Sequence, residues 1–339
     1  MIDHVDTVDY HTGGEPFRIV AEPPAAIPGR SVADRHIRAI ADPAVDGLRR
    51  LLCLEPRGHA DMFGGFLTPP DDAGADFGVL FWHKDGFSSA CGHGTIALGA
   101  WAVESGRVVA DPTGVTDVTI DVPSGRVVAR VHTEAGQVTA VDFVNVPSHV
   151  LATDVEIRTS RGNVLVDLAY AGSVYAHLRA ADVGLSVEPR NVDALIAVGR
   201  EVKTLLIGTS YAQHPTDHRL NGIYGTILYD ELDEEANGDL HQRSATVFAD
   251  GALDRSPCGS GSASRVAVLA ARGALKPGSR LLHESVVGSR FVCAVVAGTT
   301  VDDGTPAVVP NVTGMAYRCG SSRFTVDPRD PLASGFVLR

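Results

Sequence analysis

Long apolar runs, cysteine and positive charge are all scarce in this chain. No stretch reaches the roughly 18 uninterrupted apolar residues that a membrane span needs. Five cysteines in 339 residues is a low, odd count, which argues against a secreted scaffold held by disulfides. Lys and Arg number 29 against 41 Asp and Glu, giving a net charge of −12. Without a basic run, the chain lacks the footprint of a nucleic-acid binder or of a protein held on anionic lipid. The start, Met1-Ile2-Asp3-His4-Val5-Asp6, has neither the basic opening nor the apolar stretch of a signal peptide. What remains is ample for a core: 44% apolar residues, balanced by 21% charged ones, exclude disordered, collagen-like and coiled-coil classes. The length suits two ordinary domains. A cytoplasmic, enzyme-sized protein is expected, one that meets a small molecule rather than nucleic acid or membrane.

Period-2 alternation with turn residues at the breaks predicts strands at Val118–Val122, Val127–Val131 and Val138–Phe143, with Pro123-Ser124-Gly125 and Glu134-Ala135-Gly136 as turns. Further strands are expected at Phe17–Val20, Gly78–Phe81, Phe291–Val296 and Ala307–Val309. Amphipathic spacing predicts helices over Ser31–Cys53, broken at Pro43, and over Asn191–Leu206. The fold class is α+β, with antiparallel strands dominant.

The most informative feature is an internal echo. Cys91-Gly92-His93-Gly94-Thr95 is matched by Cys258-Gly259-Ser260-Gly261-Ser262, about half the chain away. Each cysteine opens a run of small and apolar residues, and each run stops at a glycine the same distance on, Gly106 and Gly273, where a helix wants a residue of positive φ. Two such matches imply two similar halves. Helices apolar all round must be enclosed, so each half is expected to wrap strands around a central helix.

A cysteine at a helix start lies beside unpaired N–H groups and the positive end of the dipole, which favours its thiolate and lowers its pKa. The same terminus binds a carboxylate. Two such termini facing one another would grip one carboxylate and put a sulfur on each side of the adjacent carbon. Removing the α-proton of an amino acid builds charge on that carboxylate, and donors already in place stabilise it. One sulfur as thiolate takes the proton and the other as thiol returns one to the opposite face. Configuration inverts without a cofactor.

Asp254-Arg255-Ser256-Pro257-Cys258-Gly259-Ser260-Gly261 and Ser89-Ala90-Cys91-Gly92-His93-Gly94-Thr95 resemble the two signature motifs of the proline racemase family, and Asp9-Tyr10-His11-Thr12-Gly13-Gly14-Glu15-Pro16 resembles its N-terminal motif. The family holds proline racemases, 4-hydroxyproline epimerases and trans-3-hydroxy-L-proline dehydratases. The resemblance implies two similar domains of the diaminopimelate-epimerase type, with the active site in the cleft between them and no need for pyridoxal phosphate or metal. Residues 1–150, completed by 315–339, would carry Cys91, and residues 151–314 would carry Cys258. The two cysteines would be the bases. Gly92, Gly259 and Ser260 would offer backbone N–H groups to the carboxylate, and His93 and Asp254 would meet the ring nitrogen. A homodimer would fit. Glu55–Gly64 and His83–Ser89 look most like the dehydratase branch, many of whose members carry threonine where this chain has Cys258. Water loss needs one base and an acid for the leaving hydroxyl, whereas inversion needs a proton donor on the far face. Cys258 therefore favours racemisation or epimerisation of proline or a hydroxyproline, with the dehydratase as the alternative.

Other readings stay simpler. Cys53, Cys293 and Cys319 lack a glycine-rich helix start and read as packing residues. His11, Glu15, His59 and Asp61 read as ties between loops and strands; Asp254 could merely shape a turn, and His93 could be a capping or core histidine. Asp230–Glu235 reads as a solvated acidic stretch. His214, His218 and His241 do not form a recognisable zinc motif. The non-enzymatic alternatives are a thiol redox sensor, in which Cys91 and Cys258 oxidise to a disulfide, and a module that binds proline without exchanging its α-hydrogen.

Overall fold

Hairpins and helical crossovers build two units, residues 1–142 with 315–339, and residues 143–314. The computed structural model describes residues 4–213, 221–235, 237–276 and 278–338. In the first unit β1 (His4–Thr12) and β2 (Glu15–Val20) pair antiparallel around Gly13-Gly14. Two helices follow, α1 (Val32–Ala41) and α2 (Pro43–Cys53), split at the expected proline. Ser31 caps α1 by accepting the Asp34 N–H at 3.1 Å. Asp42 caps α2 through the Ala44 N–H at 2.8 Å, with Pro43 in the first turn, where its missing donor costs nothing. This crossover lays β3 (Gly64–Thr68) parallel to β2. Next come β4 (Phe77–His83) and β5 (Gly86–Ser88), both in antiparallel pairings, and then α3 (Gly92–Glu104). The chain returns as β6 (Val115–Val122), parallel to β4, turns back as β7 (Gly125–Glu134), and leaves through β8 (Gln137–Val144).

The second unit repeats that plan. After β9 (His149–Thr159), β10 (Gly162–Tyr170) and β11 (Val174–Arg179) form the hairpin. Helix α4 (Val192–Leu206) crosses to β12 (Gly225–Glu231), parallel to β11. Strands β13 (Leu240–Phe248) and β14 (Ala252–Leu253) precede α5 (Gly259–Ala271), and β15 (Leu281–Ser285) returns parallel to β13. Strands β16 (Arg290–Thr300) and β17 (Pro306–Gly314) complete it. The last strand, β18 (Ala316–Thr325), belongs to the first unit and pairs antiparallel with β1, as β9 does with β10.

The expectation of antiparallel sheets needs correction: each unit holds two parallel pairings. Each follows a connection that contains a helix, the length of chain a parallel return requires. The central helices are enclosed as expected. Residues Gly92 to Ala102 of α3 are buried throughout, as are Gly259 to Leu269 of α5. Strands β1, β2, β7 and β18 pack on α3, and β9, β10, β16 and β17 on α5. Gly106 and Gly273 take φ of +72° and +70° just past the helix ends.

A part-buried ion pair ties the first unit together. Arg18 on β2 donates to the Asp9 carboxylate from Nε and Nη2, at 2.9 and 2.8 Å. Its Nη1 donates to the carbonyls of Leu52 and Arg57, both at 2.7 Å, and its guanidinium lies 4.5 Å from the centre of the Phe324 ring on β18. Among the described residues no helix is long and apolar enough to cross a membrane.

Candidate active site

In the first unit Cys91 is the N-cap of α3, with ordinary extended backbone, and its Sγ accepts the Gly94 N–H at 3.2 Å. The N–H groups of the first turn have no helical carbonyl to bond, so this end of α3 can receive an anion. Gly94 is needed here: a Cβ would stand 2.4 Å from the Phe17 ring and 2.8 Å from the Cys91 sulfur. The His93 ring reaches back to Cys91, with Nδ1 at 3.5 Å and Nε2 at 3.6 Å from Sγ. It stands edge-on to Phe17 and Phe63, with ring centres 5.9 and 4.9 Å away. Burial among these rings pushes its pKa down to about 3, against a smaller opposing effect of the Pro16 carbonyl. Thr12, from the N-terminal motif, donates to the His93 carbonyl at 2.9 Å and fixes the turn.

In the second unit Cys258 caps α5, and its Sγ accepts the Gly261 N–H at 3.3 Å, the same arrangement. Its backbone differs. Cys258 has φ +63°, in the region that favours glycine, whereas Cys91 has φ −157°. Such strain costs about 1–3 kcal/mol and persists only where the surroundings enforce it. Here they do so through a chain of hydrogen bonds: the Cys258 N–H donates to Ser256 Oγ at 3.0 Å, and Ser256 donates to Asp254 Oδ1 from both Oγ, at 2.7 Å, and N–H, at 2.8 Å. Asp254 thus shapes the turn before the cysteine. Tyr175, on β11 and fully buried, places its hydroxyl 3.9 Å from Cys258 Sγ and 2.7 Å from Ser260 Oγ.

The expected lowering of the thiol pKa at a helix start does not hold for Cys258. Burial raises it well above its ordinary value, and the charge of Asp254 raises it further, outweighing the N–H of Gly261. Burial also lifts Asp254, to about 6. These surroundings favour the thiol form of Cys258 over the thiolate.

The remaining cysteines lie apart from any glycine-rich cap. Cys53 and Cys293 are buried, each pushed up to about 12 by that burial, and Cys319 is exposed on β18. His11 and His59 accept the N–H groups of Gly14 and Asp61 and so tie loops. His214 and His218 lie outside the described residues, and His241 bonds Glu284 at 3.1 Å. Two residues beside Cys258 escape the sequence reading. Ser256 could have been found, since Asp254-Arg255-Ser256 has the form of an Asx turn. Tyr175 could not, because Val174–Arg179 reads as ordinary buried strand.

Below Cys258 the core is unusually polar. Ser262 Oγ lies 2.7 Å from His283 Nδ1, and Ser264 Oγ lies 3.1 Å from His177 Nε2. Burial, then the charge of Arg265, pushes both imidazoles down, His283 to about 3. With His93, three histidines are held neutral in the folded protein. The unfolded chain binds protons at these sites near pH 6.5 and the folded one does not, so stability is complete above that pH and falls below it, by about 1.4 kcal/mol per pH unit for each histidine. Asp254, shifted upward, works the other way only between about 6 and its unfolded value. The melting temperature should be flat between about pH 7 and 8, drop between about pH 6.5 and 4.5, and fall again above about pH 8.5, where the unfolded chain releases thiol protons that the folded one keeps; equal values at about pH 5 and 7.5 would refute this.

Comparison with known proteins adds a family. The proline racemase family profile matches residues 7–337. A trans-3-hydroxy-L-proline dehydratase of Burkholderia cenocepacia is 44% identical, over 99% of this chain and 98% of its own length. A 3-hydroxyproline 2-epimerase of Burkholderia multivorans shows the same identity and the same coverage. Among solved structures, a hydroxyproline epimerase from Agrobacterium vitis with bound trans-4-hydroxy-L-proline superposes with a TM-score of 0.90 at 32% identity, covering 99% of this chain and 96% of its own.

Proposed function

This chain belongs to the proline racemase family, and from that premise we propose that it inverts the α-carbon of a hydroxyproline with Cys91 and Cys258 as a base and acid pair. The observation that carries this reading is the duplicated cap: in two units of one topology, a cysteine sulfur accepts the N–H three residues on, at 3.2 and 3.3 Å, at the mouth of a buried helix. A sulfur held this way can exchange a proton without moving the backbone, and the first-turn N–H groups of Gly92, Gly259 and Ser260 suit a carboxylate on which charge grows. Cys91 as thiolate removes the α-proton; the thiol of Cys258, which burial keeps protonated, delivers one to the opposite face. His93, neutral in its aromatic pocket, and Asp254 serve the ring nitrogen. This scheme draws on the chain's own groups and calls for no cofactor. The similar proteins named for 3-hydroxyproline point to a ring hydroxyl beside the reacting carbon.

Dehydration is the second reading, favoured by the relatives named trans-3-hydroxy-L-proline dehydratase. Dehydration needs one base and an acid for the leaving hydroxyl but no proton donor on the far face of the α-carbon, which is what a second thiol would supply, and for that reason inversion is preferred. The test is incubation in D₂O with L-proline, trans-4-hydroxy-L-proline and trans-3-hydroxy-L-proline in turn, followed by proton NMR. Deuterium at Cα with inversion supports the epimerase; water loss from the 3-hydroxy compound supports the dehydratase; neither exchange nor water loss with any of them rejects both. Cys258→Thr should lower inversion by about 10²-fold or more, the usual scale of a lost acid–base group, while permitting water loss from trans-3-hydroxy-L-proline. Retained inversion with no dehydration would contradict that prediction.

A further inference from the structure

The two cysteines stand in unlike surroundings, and the difference points to a residue with a task. Against the first turn of α3 the second strand of its unit sets Phe17, a ring with no polar atom. Against the first turn of α5 the equivalent strand, β11, sets Tyr175, whose hydroxyl lies between Cys258 Sγ at 3.9 Å and Ser260 Oγ at 2.7 Å. All three side chains are buried. A phenol and a serine hydroxyl each have one proton to donate and lone pairs to accept, so a pair of them can point its hydrogen bonds either way.

We propose that Tyr175 and Ser260 form a reversible hydrogen-bond relay that lets Cys258 act both as thiol and as thiolate. With the thiol present, S–H donates to the Tyr175 oxygen and the Tyr175 O–H donates to Ser260. Once Cys258 has given its proton to carbon, both hydroxyls rotate: Ser260 donates to Tyr175 and Tyr175 donates to the thiolate. No proton leaves either hydroxyl, so the only bonds broken and formed are S–H and C–H. A buried thiolate without such a donor would be far harder to reach. Tyr175 is thus a positioning residue that acts through Cys258. The role rests on the two-cysteine reading above, but its test does not need turnover.

The test is Tyr175→Phe, which keeps the ring and its packing. Alkylation of Cys258 by iodoacetamide, followed against pH by mass spectrometry of its peptide, reports the thiolate directly. Loss of the donor should raise the alkylation midpoint by about one pH unit. It should lower the inversion rate at pH 8 about tenfold, with the substrate KM little changed and the pH profile displaced in the same direction. Replacing Tyr175 by 3-fluorotyrosine, nearly identical in shape and a stronger donor, should move the alkylation midpoint downward instead. Opposite shifts in the two variants support the relay, since a loosened fold would not reverse sign. An unchanged midpoint in both overturns it, whatever happens to activity. Should the wild-type protein turn over no hydroxyproline, the proposed function fails, while the two alkylation curves still decide the role of Tyr175.

Discussion

With the enantiomer whose α-hydrogen faces Cys91 as substrate, Cys91→Ser should lower α-proton exchange and inversion together by about 10³-fold, because a serine hydroxyl at a helix mouth remains protonated where a thiol ionises. Cys258→Ser should lower inversion on the same scale. For the enantiomer whose α-hydrogen faces Cys91, however, exchange with solvent deuterium should persist, since the remaining thiolate can remove a proton and hand one back to the same face. Proton NMR in D₂O separates the outcomes, one variant silent and the other exchanging without inversion. Near-wild-type inversion by either variant would sink the two-base assignment. So would identical behaviour of the two in exchange, because the structure makes the cysteines unequal. Cys91 borders an imidazole and aromatic rings on unstrained backbone, whereas Cys258 sits on strained backbone with a carboxyl nearby and a hydroxyl on its sulfur.

The second large effect concerns stability. Arg18→Met should destabilise the protein by about 3 kcal/mol, since removing the buried guanidinium leaves two carbonyls and a part-buried carboxylate without their donor. For domains of this size that lowers the melting temperature by roughly 10 °C. The loss has several sources: Asp9 loses its bidentate partner, the carbonyls of Leu52 and Arg57 lose their donor, and the Phe324 ring loses the cation beside it. Arg18→Lys should fall between, since an ammonium retains charge but cannot make the two-pronged contact. Scanning calorimetry of the three proteins checks the order; equal melting temperatures for Arg18→Met and the parent would refute it.

Much of this was legible in the sequence because it rests on short-range rules. Proline at the start of a helix, an aspartate before it and alternating valines act locally, so the split of α1 from α2 at Pro43 and the strands β6, β7 and β8 appear where patterning puts them. The echo of Cys91 and Cys258 was visible because glycine is forced on both sites by close approach of the sulfur, and the stops at Gly106 and Gly273 because only glycine takes their φ readily. Hydrogen bonding between distant strands was not legible. Parallel pairing of β2 with β3 depends on a crossover, and no residue in either strand announces it. Nor does any residue near Cys258 reveal Tyr175, 83 positions away, or the burial that reverses the expected shift of the thiol. Local charge and dipole arguments see the helix end; the desolvation that outweighs them belongs to the packed molecule.

The pairing of β1 with β18 also bears on biosynthesis. Asp6 and Arg323, 317 residues apart in sequence, meet across that pair. A ribosome releases the whole of residues 143–314 before it makes the strand that β1 needs. The contiguous unit can therefore close while the earlier one still waits with an open edge, exposed to chaperones and to neighbouring nascent chains. Truncations that remove β18 should accordingly strand the amino-terminal half as a protease-sensitive tether on an intact, later-made partner.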